Sequence, residues 1–263
     1  MASSQPDPAT LLPRELVAEL LALARAQGAE FTEVFGEHTI HTAFSLEEGR
    51  LKTSQHSVTQ GVGMRAIRGE QTGYAYADGF AAADLREAAR MAGRIARDGT
   101  PGGPPASFRV VDAPAPFALA SPAPLALDEA GKVALLRRAD DAARAHDPRI
   151  HEVAATLADA AKSFMVANSD GLWAEDRQYL TRLSVVAYAS AGDQRQQGFA
   201  AGGGSVEADY FERVRPPEAV AREAAGTAVT LLAAKDPEAG AYPVVLAPGW
   251  GGVLVHECFG HGM

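Results

Sequence analysis

Three residues close to the end of the sequence have the types and spacing of a metal site. They are His256, Glu257 and His261, in the pattern H-E-x-x-x-H within "GVLVHECFGHGM". Imidazole nitrogens suit zinc, and a catalytic zinc takes three protein ligands and keeps one position for water. A carboxylate beside that water can take its proton, because the metal brings the water's acidity close to neutral. Two histidines and the adjacent glutamate supply most of these parts. The same donors also suit other divalent ions.

The spacing sets a condition. The familiar zinc-peptidase helix carries H-E-x-x-H, with both histidines on one face. Here the step is five residues, which on a regular α-helix leaves the side chains about 140° apart. A π-type widening brings i and i+5 together, and such bulges favour functional sites. Gly260 stands where the distortion is needed and tolerates unusual backbone angles. The pattern therefore predicts a bulged or broken helix. Cys258, the one cysteine, lies about 200° from His256 around a helix, so it is read as a core thiol and not as a ligand.

The elements that must deliver this motif are legible upstream. "YPVVLAP" is expected as a short strand, and "GWGG" as a Gly-rich turn into the closing helix. "PATLLPRELVAELLALARAQG" has Leu16, Leu20 and Leu23 at helical spacing and Gly28 as a stop. Near-alternation from residue 29, broken by Gly36 and Gly49, predicts antiparallel strands, continued through "QGVGMRAIRGEQTGYAYADGF". "AAADLREAARMAGRIARDG" follows as a helix with Leu85, Ala88, Ala89, Ala92 and Ile95 on one face. Residues 98–127 are rich in Pro, Gly and Ala and read as a linker.

A second unit repeats the order. A helix capped by Asp128 leads into strands, with "NSDG" at 168–171 as a hairpin turn, and then a helix opened by proline in "PPEAVAREAAGTAVTLLAA". The expected fold class is α+β: two successive helix and antiparallel-sheet units over 1–97 and 128–237, a linker at 98–127, then a strand and a distorted metal-binding helix in 238–263.

Composition narrows the classes. The chain has 263 residues, 47% of them hydrophobic and 22% charged, as in a soluble globular protein. A formal charge of −9 with interspersed signs argues against nucleic acid. The first twenty residues lack a basic region before an apolar run, and no stretch approaches a membrane span. With one cysteine and no possible intrachain disulfide, a cytoplasmic location is expected.

Other features have plainer readings. "GVGMRA" at 61–66 fits G-x-G-x-x-A but lacks the following helix of a dinucleotide site. "GGG" at 202–204 reads as a turn. His38, His41 and His56 are taken as surface residues, since an odd step along a strand changes face. Trp173 and Trp250 are taken as packing residues.

The segment "VVLAPGWGGVLVHECFGHGM" resembles the signature of the TldD/PmbA family in its TldD-type branch. "EVFGE" at 33–37, "GVGMRAIRG" at 61–69, "DPRI" at 147–150 and "VANSDG" at 166–171 extend the resemblance over nearly the whole chain. The resemblance implies a zinc-dependent peptidase acting on small or unfolded peptides. It implies His256 and His261 as ligands of Zn2+ and Glu257 as the general base. It further implies a third ligand, a cysteine, in a β-rich C-terminal domain that residues 238–263 begin. On that expectation the chain is the N-terminal part of a longer protein and is inactive alone, with poor solubility. The family's members often pair with a related subunit, so a homo- or hetero-oligomer is expected. The rival reading is a non-catalytic scaffold subunit, and a third is a self-contained hydrolase that takes an upstream Asp or Glu as ligand.

Overall fold

The computed structural model describes residues 11–97, 109–110, 127–206 and 209–262. The expected linker, 98–127, lies almost wholly outside these residues. The chain divides into a unit ending at Leu232 and a second spanning Ala233–Met263.

In the first unit, helix α1 (Arg14–Arg25) is followed by strands β1 (Phe31–Glu47), β2 (Arg50–Arg68) and β3 (Gln71–Ala77), then helix α2 (Ala82–Ile95). After the two-residue strand β4 (Arg109–Val110) the pattern recurs. Helix α3 (Glu129–Arg144) leads into β5 (Ile150–Asn168), β6 (Leu172–Ala191) and β7 (Gln194–Gly204), then a short α4 (Tyr210–Arg213) and helix α5 (Pro217–Leu231). The α+β class expected from the sequence is what forms. The two sets of strands are one sheet and not two. Its order is β3-β2-β1-β5-β6, with β7 and β4 both on the far side of β6. All pairings are antiparallel except β4 with β6.

The seam between the halves is the long antiparallel pairing of β1 with β5, from Glu33↔Asn168 to Glu47↔Ala154. Both helix pairs cover the same face, as the period-two burial shows. On β5, Val153, Ala155 and Leu157 are buried under α3 and α5, while Met165 and Ala167 are buried under α1 and α2. All are odd-numbered and so point to one side. Two cores therefore lie at opposite ends of one sheet face. The other face leaves Phe35, Leu180 and Phe199 exposed.

Local chemistry explains the elements. Asp128 accepts a hydrogen bond from the Gly131 backbone N–H at 2.8 Å and caps α3. Pro217 opens α5, where its missing N–H costs nothing. Asn168 Oδ1 accepts from the backbone N–H groups of Asp170 and Leu172, and Gly171 takes a φ of 93°, which closes the β5–β6 hairpin. Lys132 of α3 reaches the sheet. Its Nζ lies 2.7 Å from Asp159 and 3.0 Å from the Thr42 hydroxyl, which itself donates to Asp159 at 2.6 Å.

Several expectations are corrected. The buried stripe of α1 is Val17, Leu20, Leu21 and Ala24, with Leu16 and Leu23 only flanking it. The reason is a close crossing: a Cβ on Gly93 of α2 would stand 2.4 Å from the Ala24 carbonyl oxygen, so Ala24 must face α2. On α2, Ile95 is exposed and Ala96 is buried, because eleven steps from Leu85 return to its face and ten do not. "GGG" at 202–204 is the end of β7, paired with Thr181–Leu183, and not a turn.

In the second unit, 241–247 forms no strand. A strand exists through a ladder partner, and among the described residues none runs beside this segment. Trp250 is exposed, as is Cys258, so neither is a core residue. The short helix that follows Trp250 and the one that carries Cys258 bury no residue of their own.

Candidate metal centre

The second unit turns at Gly249, whose φ of 99° lies in the left-handed region that glycine adopts without strain. The Gly252 N–H then bonds to the Gly249 carbonyl at 2.9 Å and starts helix α6 (Gly251–Val255). At His256 the helix widens. Residues His256–Gly260 form a π turn, closed by the His261 N–H donating to the His256 carbonyl at 3.3 Å. An i+5 bond is what the five-residue spacing requires if the histidines are to meet.

They do meet. The rings of His256 and His261 stand edge to face with centroids 4.6 Å apart. Glu257 joins them, with a carboxylate oxygen 3.9 Å from His261 Nε2. One ligand-type atom from each of the three lies within 4.8 Å of the other two. Tetrahedral ligands at zinc distances stand roughly 3.4 Å apart, so rotations moving these atoms by about 1 Å would seat one ion. All three side chains are exposed and free to make them. Two imidazoles and a carboxylate fit a divalent transition metal.

The third sequence-predicted residue is thus placed beside the two histidines, within reach either of an ion or of a water next to it. Cys258 offers no donor to this cluster. The close approach of Gly260 to His256 is a feature that spacing alone does not reveal. A Cβ built on Gly260 would stand 3.0 Å from His256 Nδ1. His38, His41 and His56 lie in β1 and β2 of the first unit, where His41 borders a shallow cavity of about 560 Å³ on the bare sheet face with Leu180, Arg182 and Gly202–Gly204 of β7. Trp173 is buried in the core below α1, with the Arg14 guanidinium 5.1 Å from its ring centre.

Comparison with known proteins gives a consistent picture. Residues 32–96 match the family model described as PmbA/TldA metallopeptidase domain 1, and residues 122–232 match the PmbA/TldA metallopeptidase central domain. The chain is 32% identical over 258 residues to a metalloprotease TldD homolog of Haemophilus influenzae, covering 96% of this chain and 53% of that protein. It is 29% identical over 241 residues to the TldD homolog of Buchnera aphidicola from Acyrthosiphon pisum, covering 89% and 49%. The chain thus spans about half the length of the curated relatives it matches. Among solved structures, a Thermotoga maritima protein proposed to modulate a DNA gyrase superposes with a TM-score of 0.68 at 18% identity, over 86% of this chain and 50% of that one. TldE of Thermococcus kodakarensis superposes at 0.60 with 16% identity, over 81% and 47%. At these identities the structural likeness shows the fold. No described helix is long and apolar enough to cross a membrane.

Proposed function

The chain belongs to the TldD/PmbA metallopeptidase family, and from that premise we propose that it contributes the metal-binding helix of a zinc-dependent peptidase acting on small or unfolded peptides. The observation that carries this reading is the π turn bringing His256 and His261 ring to ring with Glu257 beside them. His256 and His261 hold Zn2+ through their imidazole nitrogens. A zinc held there supplies a Lewis acid that makes water acidic near neutral pH. Glu257 accepts the proton of the attacking water and passes it to the departing amine, which must leave protonated. We read residues 1–97 and 128–237 as two domains of the peptidase that share one sheet, and 238–263 as part of a third.

Activity is proposed for a protein of the relatives' length, in which further residues complete the ligand set and the walls that grip the peptide. The present residues alone bind zinc weakly and do not turn over substrate. We place the protein in the cytoplasm, working with a second copy or a related subunit.

The test is metal content and peptidase activity of the protein from the full reading frame, beside a Glu257→Gln variant. One zinc per chain, with activity lost and zinc retained in the variant, supports the assignment. Absence of metal from the full-length wild type would overturn it and favour a non-catalytic scaffold.

A further inference from the structure

The π turn poses a question the ligand residues do not answer: what lets the His256 ring lie where it can meet His261? The ring sits over Gly260. A Cβ at that position would stand 3.0 Å from His256 Nδ1, 3.4 Å from Cε1 and 3.5 Å from Cγ. Ordinary carbon contacts lie near 3.5–4.0 Å, so a methyl group would press on the Nδ1 side of the ring and shift it by a few tenths of an ångström. Gly260 has a second role in the backbone. Ala is favoured over Gly in a regular helix by roughly 1 kcal/mol. An alanine there favours α over π winding, and α winding would carry His261 about 140° away from His256.

We propose that Gly260 is a positioning residue for the metal centre: its missing side chain makes room for the His256 ring and keeps the turn open enough for His256 and His261 to share one ion. This rests on the reading of the two histidines as ligands. It concerns a residue that touches no metal, and it gives the motif a requirement beyond its two histidines and glutamate. A comparison position lies in the same helix. A Cβ on Gly252 would meet nothing within 4 Å. Gly252→Ala therefore raises helix propensity without touching His256.

The experiment is a zinc titration of the protein from the full reading frame against a chromophoric chelator, with thiols kept reduced. Wild type, Gly260→Ala and Gly252→Ala are compared, and circular dichroism reports the fold. Cobalt substitution adds a second readout, since its visible absorption reports the coordination geometry. Loss of a group that orients a metal ligand typically costs one to two orders of magnitude in metal affinity. Gly260→Ala is expected to weaken zinc at least 10-fold and to change the cobalt spectrum, with the fold intact. Gly252→Ala is expected to stay within 2-fold of wild type. Equal affinity in Gly260→Ala and wild type overturns the proposal, and so does an equal loss in both variants, which would assign the effect to helix propensity. A wild type that binds neither zinc nor cobalt would instead bring down the ligand assignment itself.

Discussion

The sheet and its covering helices touch most closely at two glycines, and this sets a measurable stability cost. A Cβ on Gly198 of β7 would stand 2.0 Å from the Ala224 carbonyl oxygen and 2.6 Å from the Ala228 nitrogen of α5. A Cβ on Gly73 of β3 would stand 2.0 Å from the Ala92 carbonyl oxygen and 2.6 Å from the Ala96 nitrogen of α2. These are backbone atoms and cannot swing aside. To accept a methyl at ordinary contact distance the helix must retreat by roughly 1.5 Å. That loosens the packing of Val220, Ala221, Ala224, Ala225 and Ala228 in one core, or of Leu85, Ala88, Ala89 and Ala92 in the other. Overpacking of this kind costs about 3 kcal/mol, the equivalent of a drop in Tm of roughly 6–12 °C for a unit of this size. Gly198→Ala and Gly73→Ala should each show that drop by thermal circular dichroism. The sites are far apart in the sheet, so the double variant should lose about the sum. Gly192→Ala is the comparison. Its φ is 58° with no atom within 4 Å of a Cβ, so it should cost only about 1–2 kcal/mol of left-handed backbone strain. A Tm within 2 °C of wild type for Gly198→Ala would refute the close-approach reasoning.

Two further outcomes follow from buried charge. Lys132→Ala strands the Asp159 carboxylate with one hydroxyl partner; the loss should be about 2–3 kcal/mol in urea unfolding, below the range for fully buried pairs because Asp159 keeps some contact with water, and Asp159→Asn added to it should cost little more. Burial pushes the Glu175 carboxyl above its ordinary range, against the opposing effects of Trp173 and Arg14. Its charged form is thus disfavoured in the folded state, so stability falls as pH rises through the folded pKa and the penalty is absent below the unfolded value. Glu175→Gln should therefore raise Tm at pH 7 and leave it unchanged near pH 3; a gain equal at both pH values would exclude titration as the cause.

Legibility in the sequence followed the range of the interactions. The π turn could be foreseen, because a five-residue step between two ligands has few geometric solutions. The caps at Asp128 and Pro217 and the turn at Asn168–Gly171 are likewise local, and they form where the residues say. The seam of β1 with β5 joins residues more than a hundred apart and carries no local signature, so one sheet looked like two. "GGG" misled because glycine marks turns and close approaches alike: a Cβ on Gly203 would stand 2.1 Å from the Thr181 carbonyl oxygen of β6, and one on Gly202 2.6 Å from the Arg215 side chain. The apolar run "YPVVLAP" suits a strand but has no ladder partner among the described residues, and Cys258 and Trp250 were assigned to a core that the residues around them do not build. The stripe of α1 shifted because Ala24 and Gly93 set the helix crossing, a contact between two elements that neither sequence window contains, whereas on α2 only Ile95 gave way to Ala96, as the helical period alone requires.

The seam has a consequence for how the chain reaches this state. Helix, three strands and helix occur twice, and the halves meet head to tail through the antiparallel pairing of β1 with β5, with Gly73 and Gly198 each closely approached by a covering helix. During synthesis β1 is finished about 120 residues before β5 ends, an interval of roughly 6–24 s at ordinary translation rates. Throughout it, the β1 edge from Glu33 to Glu47 has donors and acceptors but no neighbour. An open edge of that length accepts any matching strand. The matching strand is β5, and every other copy of the chain carries one. Refolding at high concentration should therefore yield dimers whose halves have been exchanged, each seam complete but built from two molecules.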